Sequence, residues 1–207
     1  MQDDRVSDMT VVIKQYKLLS LQEREILRYA GCRTQEEAMV HLMRICLKEA
    51  EDAGVLNGQL CYAEVPVYTG QLDFGAFSVC SEHLAKNLQG CSKVLLLAAT
   101  AGVGIDRLIE KYGRIAPSKA LMFQAIGAEL VEAVCDTFSK EYEAEHNCRL
   151  RPRFSPGYGD LALETQKNIF AVLEPARRIG LTLNDSLLMS PSKSVTAFVG
   201  IGEENGF

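Results

Sequence analysis

A chain of 207 residues that is 47% hydrophobic and 24% charged has the makeup of a folded protein of one domain or two small ones, which excludes wholesale disorder. Twenty-two Lys and Arg against 27 Asp and Glu give a net charge of −5, where a duplex nucleic-acid binder usually carries a basic surplus. No apolar run approaches the roughly 18 residues of a membrane span, and MQDDRVSDMT lacks the basic-then-apolar pattern of a secretory signal, so the expectation is a cytoplasmic protein with no membrane contact.

The chain begins with a weak alternating run, Thr10 to Lys14. Ser20 with Glu23 has the spacing of a capping box and predicts a short helix through Tyr29, ended by Gly31. Thr34 with Glu37 repeats that spacing before a longer helix through Ala50, closed by Gly54 and Gly58. Residues 1–58 therefore read as an N-terminal helical segment, and residues 59–207 as the main unit.

Leu60 to Tyr68 is β-prone, with Pro66 suggesting an edge or irregular strand. Ser81 opens a short helix that Gly90 ends. Lys93 to Thr100 is a continuous apolar strand of the kind buried on both faces. Ala101-Gly102-Val103-Gly104 turns it into a helix to Tyr112. Pro117 or Ser118 opens the longest helix, to about Tyr142. Residues 149–160 read as extended and turn-rich, Leu163 to Leu173 as a helix, and Leu181–Leu183 and Ser194–Ile201 as closing strands.

Seven cysteines contain no Cys-x-x-Cys pair and read as reduced thiols. His146 and Cys148 could form half of a metal site, but no second half is nearby, so no metal site is assigned. Three scattered histidines and no Gly-x-Ser-x-Gly offer no nucleophile or general base, so no catalytic residue is assigned either.

A buried strand followed by Gly102-x-Gly104 and a helix can seat a phosphate. Walker A would need Lys and Ser/Thr, and a dinucleotide fingerprint would need a small residue where Arg107 stands. A tight strand-to-helix turn is the simpler reading.

The segment Arg149 to Asp160 is richer. In an extended chain Arg149, Arg151 and Arg153 share one face. Pro156-Gly157 suits the middle of a type II turn, which presents backbone groups beside Arg153. A guanidinium fork for a carboxylate thus lies next to groups able to read a purine edge. An exposed basic loop is the plain alternative. Glu129 has Ala125, Ile126, Glu132 and Ala133 as helical neighbours, and the small and apolar ones put a carboxylate on or beside the core-facing stripe, in need of a partner, while Asp136, Glu141, Glu143 and Glu145 read as a solvated helix end. A ligand ammonium or Arg153 could serve.

Arg153-Phe154-Ser155-Pro156-Gly157-Tyr158 resembles the R-x-x-x-G-Y signature of the S-adenosylmethionine-binding activation domain of cobalamin-dependent methionine synthase. Ile179 to Ser186, Met189-Ser190-Pro191 and Ser194-Val195 are similar to that family's second stretch, and the helix with Ala128-Glu129 is similar to one bearing an acidic ligand contact. The resemblance covers roughly residues 93–202.

It implies an α+β fold, with a twisted, mainly antiparallel sheet and flanking helices. It implies S-adenosylmethionine as the bound cofactor, with Arg153 on its carboxylate, Glu129 facing its ammonium or ribose, and Ser155, Gly157 and Tyr158 near adenine. It further implies an accessory subunit rather than a complete enzyme. The partner would be a methionine synthase that lacks its own activation domain and carries the cobalamin, reactivated with electrons from flavodoxin or ferredoxin. The alternatives are a self-contained Rossmann-type methyltransferase using Gly102 and Gly104, and a scaffold that binds only its partner.

Overall fold

The computed structural model describes residues 10–32, 36–68 and 72–202. Residues 1–9, Thr34 of the second capping box and the Thr69-Gly70 turn signal lie outside them. In chain order the elements are β1 (Val12–Lys17), α1 (Glu23–Tyr29), α2 (Glu37–Asp52), β2 (Asn57–Pro66), β3 (Leu72–Asp73), β4 (Ser78–Val79), α3 (Glu82–Asn87) and β5 (Lys93–Thr100). Then follow α4 (Val103–Gly113), α5 (Pro117–His146), β6 (Arg149–Leu150), α6 (Thr165–Leu173), α7 (Pro175–Ile179), β7 (Thr182–Leu183), β8 (Met189–Ser190) and β9 (Ser194–Gly202).

Five strands form one curled sheet in the order β1-β2-β5-β9-β6, and every pairing in it is antiparallel. The fold is α+β as expected. Among the described residues there is no parallel sheet of the kind a Rossmann-type methyltransferase requires. The pairs β3-β4 and β7-β8 make two small separate ribbons.

The central strand β5 explains the layering. Leu95, Leu97 and Ala99 face one way, and Val94, Leu96 and Ala98 the other, as the two-residue period of a strand demands. The first face packs against Val134, Cys135 and Phe138 of α5. The second packs against Leu84 of α3, Ile169 of α6 and Ile179 of α7. A third core, with Ile26, Met43, Ile105 and Phe123, joins α1, α2 and α4 to the first half of α5. The 30-residue α5 starts with Pro117 in its first turn, where its missing N–H costs nothing, and ends at Asn147, which takes the left-handed conformation at φ 50°.

Part of the N-terminal segment belongs to the sheet. β1 pairs with β2 from Val12↔Tyr62 to Lys17↔Asn57, and β2 already starts at Asn57. Pro66 lies in an inner strand rather than an edge strand, yet β1 stops opposite Tyr62, so no neighbour on that side asks for the missing N–H.

The Ser20 box does not form: Gln22 is the N-cap of α1 and no side chain of its own segment caps it. The glycine turn after β5 has a packing role. Gly102 takes φ 74°, and a Cβ on Gly104 would come within 2.5 Å of Val55. Cys46, Cys61, Cys91 and Cys135 are buried and Cys80 is exposed, all as free thiols. Among the described residues no helix is long and apolar enough to cross a membrane.

Candidate functional site

The Arg149–Tyr158 segment runs antiparallel along β9, and its register changes on the way. Arg149 pairs with Gly202 and Leu150 with Ile201, and Arg151 N–H donates to Gly200 O at 2.8 Å. Phe154 then pairs with Phe198, exchanging N–H···O bonds of 2.9 Å in both directions. Pro152 and Arg153 therefore stand opposite the single residue Val199, which is a β-bulge. One extra residue reverses the side-chain alternation beyond it.

The expected row of Arg149, Arg151 and Arg153 is broken as a result. Arg149 reaches Glu143 at 3.8 Å and Arg151 donates to Gln89 O at 2.9 Å. Arg153 turns to α5, donating from Nη2 to Glu132 and from Nη1 to Asp136 at 2.8 Å. Its side chain is 23% exposed.

Arg153, Arg151, Glu132 and Glu143 help to wall a cavity of about 580 Å³. Glu132, Ser139 and Glu143 of α5 form one side; Arg151, Arg153, Ser155 and Tyr158 form the other. Both signs of charge face this space. A larger groove of about 780 Å³ lies along α3 and the β3-β4 ribbon, but among the described residues Glu82 is the one charged side chain in its lining, so it has less to offer a zwitterion.

The turn beside Arg153 has the expected form. Tyr158 N–H donates to Ser155 O at 3.1 Å and Gly157 takes φ 86°, the left-handed value a type II turn requires at its third position. Gly157 N–H is engaged as well, with Leu161 O at 2.9 Å. The Tyr158 ring meets Phe154 edge-on at 6.1 Å and is 73% exposed at the cavity.

Arg153, Ser155 and Tyr158 thus line one space, with Gly157 in the turn between them. Glu129 does not line it. The residue is 4% exposed, and its carboxylate accepts the N–H of Gln22 at 3.1 Å. In a capping box, that bond to the N-cap would come from a Glu or Gln two residues beyond the first helical one. Here Glu25 holds that position, pairs with Arg28, and α5 supplies the carboxylate instead. Burial raises the Glu129 pKa above the ordinary carboxylate range, and Glu25, Asp136 and Glu132 add to the rise, against the Gln22 bond.

Glu132 and Asp136 are the residues that sequence reasoning passed over. Asp136 reads as part of a solvated helix end, and Glu132 only as a neighbour of Glu129. Their i,i+4 spacing is the available signal, because it stacks two carboxylates at a reach suited to one guanidinium fork.

Residues 75–206 match the family described as vitamin B12 dependent methionine synthase, activation domain. Nothing among curated proteins matches the chain. Among solved structures, the crystal structure of the MetH reactivation domain bound to AdoHcy is similar, with a TM-score of 0.66 at 13% identity over 98% of this chain and 81% of that one. At that identity the likeness speaks for the fold. A family match over well more than half of the sequence, on an antiparallel architecture shared with a solved reactivation domain, makes this chain a member of the activation-domain family of vitamin B12-dependent methionine synthases.

Proposed function

We propose that the chain binds S-adenosylmethionine in the cavity between α5 and the Arg149–Tyr158 segment. It would do so in support of reductive methylation of cobalamin held by a methionine synthase that lacks its own activation domain. The observation that carries this reading is the meeting of Arg153, Glu132, Ser155 and Tyr158 around one space of about 580 Å³.

The donor set suits the ligand. S-adenosylmethionine carries a carboxylate, an ammonium and a sulfonium, with a net positive charge. Arg153 uses one N–H on each terminal nitrogen for Glu132 and Asp136, and a guanidinium has five N–H donors, so it keeps donors for a carboxylate. Glu132 and Glu143 offer acceptors to the ammonium and a negative field to the sulfonium.

The Gly157 and Tyr158 amides are taken up within the loop. The turn is therefore left to read a purine through carbonyl oxygens, which suit an exocyclic amino group, and the exposed Tyr158 ring provides a stacking face. We assign the acidic contact to Glu132; Glu129, one helical turn earlier, is the competing assignment.

Bound S-adenosylmethionine supplies a methyl group on sulfur, for transfer to cobalt once a flavodoxin- or ferredoxin-type donor has given the cobalt one electron. This chain's residues bind and orient that group, which agrees with the absence of a sequence motif for an acid or base.

The test is calorimetric titration with S-adenosylmethionine, alone and with a cobalamin-loaded methionine synthase lacking the activation domain. Saturable heat in either setting, lost in Arg153→Ala, supports the reading. No uptake in both leaves a partner-binding scaffold.

A further inference from the structure

The candidate ligand-binding loop is tied at both ends to the same short helix. At the near end, Asn87 Nδ2 of α3 donates to Pro152 O at 3.2 Å, and Arg151 Nη2 donates to Gln89 O just beyond α3 at 2.9 Å. At the far end, Asp160 caps the helix. One carboxylate oxygen accepts the Ser81 hydroxyl and the His83 N–H at 3.3 Å, and the other accepts the Glu82 N–H at 2.6 Å. Ser81 in turn accepts the Leu84 N–H at 3.0 Å. The open N–H groups at the start of α3 are thus largely served by a residue 78 positions away in sequence from Glu82. Backbone closeness completes the fit. Gly159 takes φ 57°, and a Cβ there would come within 2.3 Å of His83 Nδ1.

Arg153, Ser155, Gly157 and Tyr158 all lie between these two attachments. The near one includes the chain stretch where the bulge begins. The far one is the Asp160 carboxylate, which holds the turn's exit to the first turn of α3. A guanidinium fork and a turn recognise a ligand only if their spacing is fixed, and a misplacement of about 1 Å costs much of the gain.

We propose that Asp160 is a positioning residue: by capping α3 it sets the distance from the Ser155–Tyr158 turn to Arg153, and so the affinity for a sulfonium amino-acid nucleoside. This rests on the reading of the cavity as the S-adenosylmethionine site. It adds a residue that touches no ligand.

The experiment compares the full chain with Asp160→Ala and Asp160→Asn. The asparagine keeps the side-chain shape and one acceptor, and is itself a good cap. Two quantities are measured: amide hydrogen exchange at Gly157, Tyr158 and Leu161, and calorimetric affinity for S-adenosylhomocysteine. Asp160→Ala should exchange faster at those amides and bind about tenfold more weakly or worse, with an unchanged far-ultraviolet spectrum, and Asp160→Asn should recover much of both.

A folded Asp160→Ala with wild-type affinity, or with unaltered exchange in the loop, overturns the proposal. If Asp160→Ala does not fold, the same two measurements on Asp160→Asn decide: a smaller loss of both loop protection and affinity supports the proposal, and wild-type values of either overturn it. If the unaltered chain takes up no ligand, the functional reading of the cavity falls, and the exchange data still decide whether Asp160 holds the loop.

Discussion

The guanidinium of Arg153 donates through Nη2 to the carboxylate of Glu132, from across the cavity between α5 and the strand-and-turn segment. Asp136 takes the other terminal nitrogen. The pair is a preformed clasp of opposite charges, which a zwitterion can enter by matching each half. Arg153→Ala is expected to weaken S-adenosylmethionine binding by about 2 kcal/mol or more, roughly thirtyfold, because a charge-assisted contact is lost and two carboxylates stay behind unpaired. Calorimetry on the folded variant checks this, and an unchanged affinity would remove Arg153 from the site. Glu132→Gln should weaken binding, and Glu129→Gln should not. The reverse order would return the acidic contact to Glu129.

Glu129 has a separate signature in pH. Its folded-state pKa is raised by burial, so the folded protein holds this proton more tightly than the unfolded chain does. Stability therefore falls as pH rises through the window between the unfolded and the folded pKa, and the charged form is a constant cost above it. Glu129→Gln keeps an acceptor for the Gln22 N–H and removes the charge. Its melting temperature at neutral pH is expected to equal or exceed that of the wild type, with the difference vanishing on acidification to about pH 4. A large loss of stability at neutral pH would show that the ionised carboxylate is needed there.

Asp160 has the opposite sign. The Ser81 hydroxyl, followed by the Glu82 and His83 amides, holds its carboxyl below the ordinary aspartate range. Its contribution is complete above the unfolded pKa and is lost as pH falls through the lowered folded value. Exchange protection of the Tyr158 loop should thus persist down to the usual aspartate range and fail below it. Gly159→Ala, with φ at 57° and His83 in the way, should open the same loop at neutral pH.

Gly104 distinguishes a packing glycine from a phosphate cradle. A methyl group there meets Val55, so Gly104→Ala is expected to lower the urea midpoint, with a loss of about 1–3 kcal/mol, and to leave the S-adenosylmethionine affinity unchanged. Loss of binding in a stable variant would bring the site back to the end of β5.

Much of this protein was legible locally. Lys93–Thr100 is a strand at the bounds its apolar run marks, Pro117 opens the long helix, and Gly157 takes the conformation that Pro156-Gly157 announces. Each of these follows from sterics and burial within a few neighbouring residues. The helix after Glu174 escaped notice because it is only five residues long, too short for a periodic signal.

What the tertiary structure alone decided is which groups meet. An alternation count puts Arg153 in line with Arg149 and Arg151, and one extra residue opposite Val199 turns it to α5. Helix spacing marks Glu129 as a carboxylate in need of a partner, and the partner proved to be the first turn of α1, 107 residues away in sequence. Propensity and turn chemistry act over neighbours. Register, capping across elements and the pairing of charges depend on chain segments that approach only once the sheet has formed, and no short-range pattern encodes them.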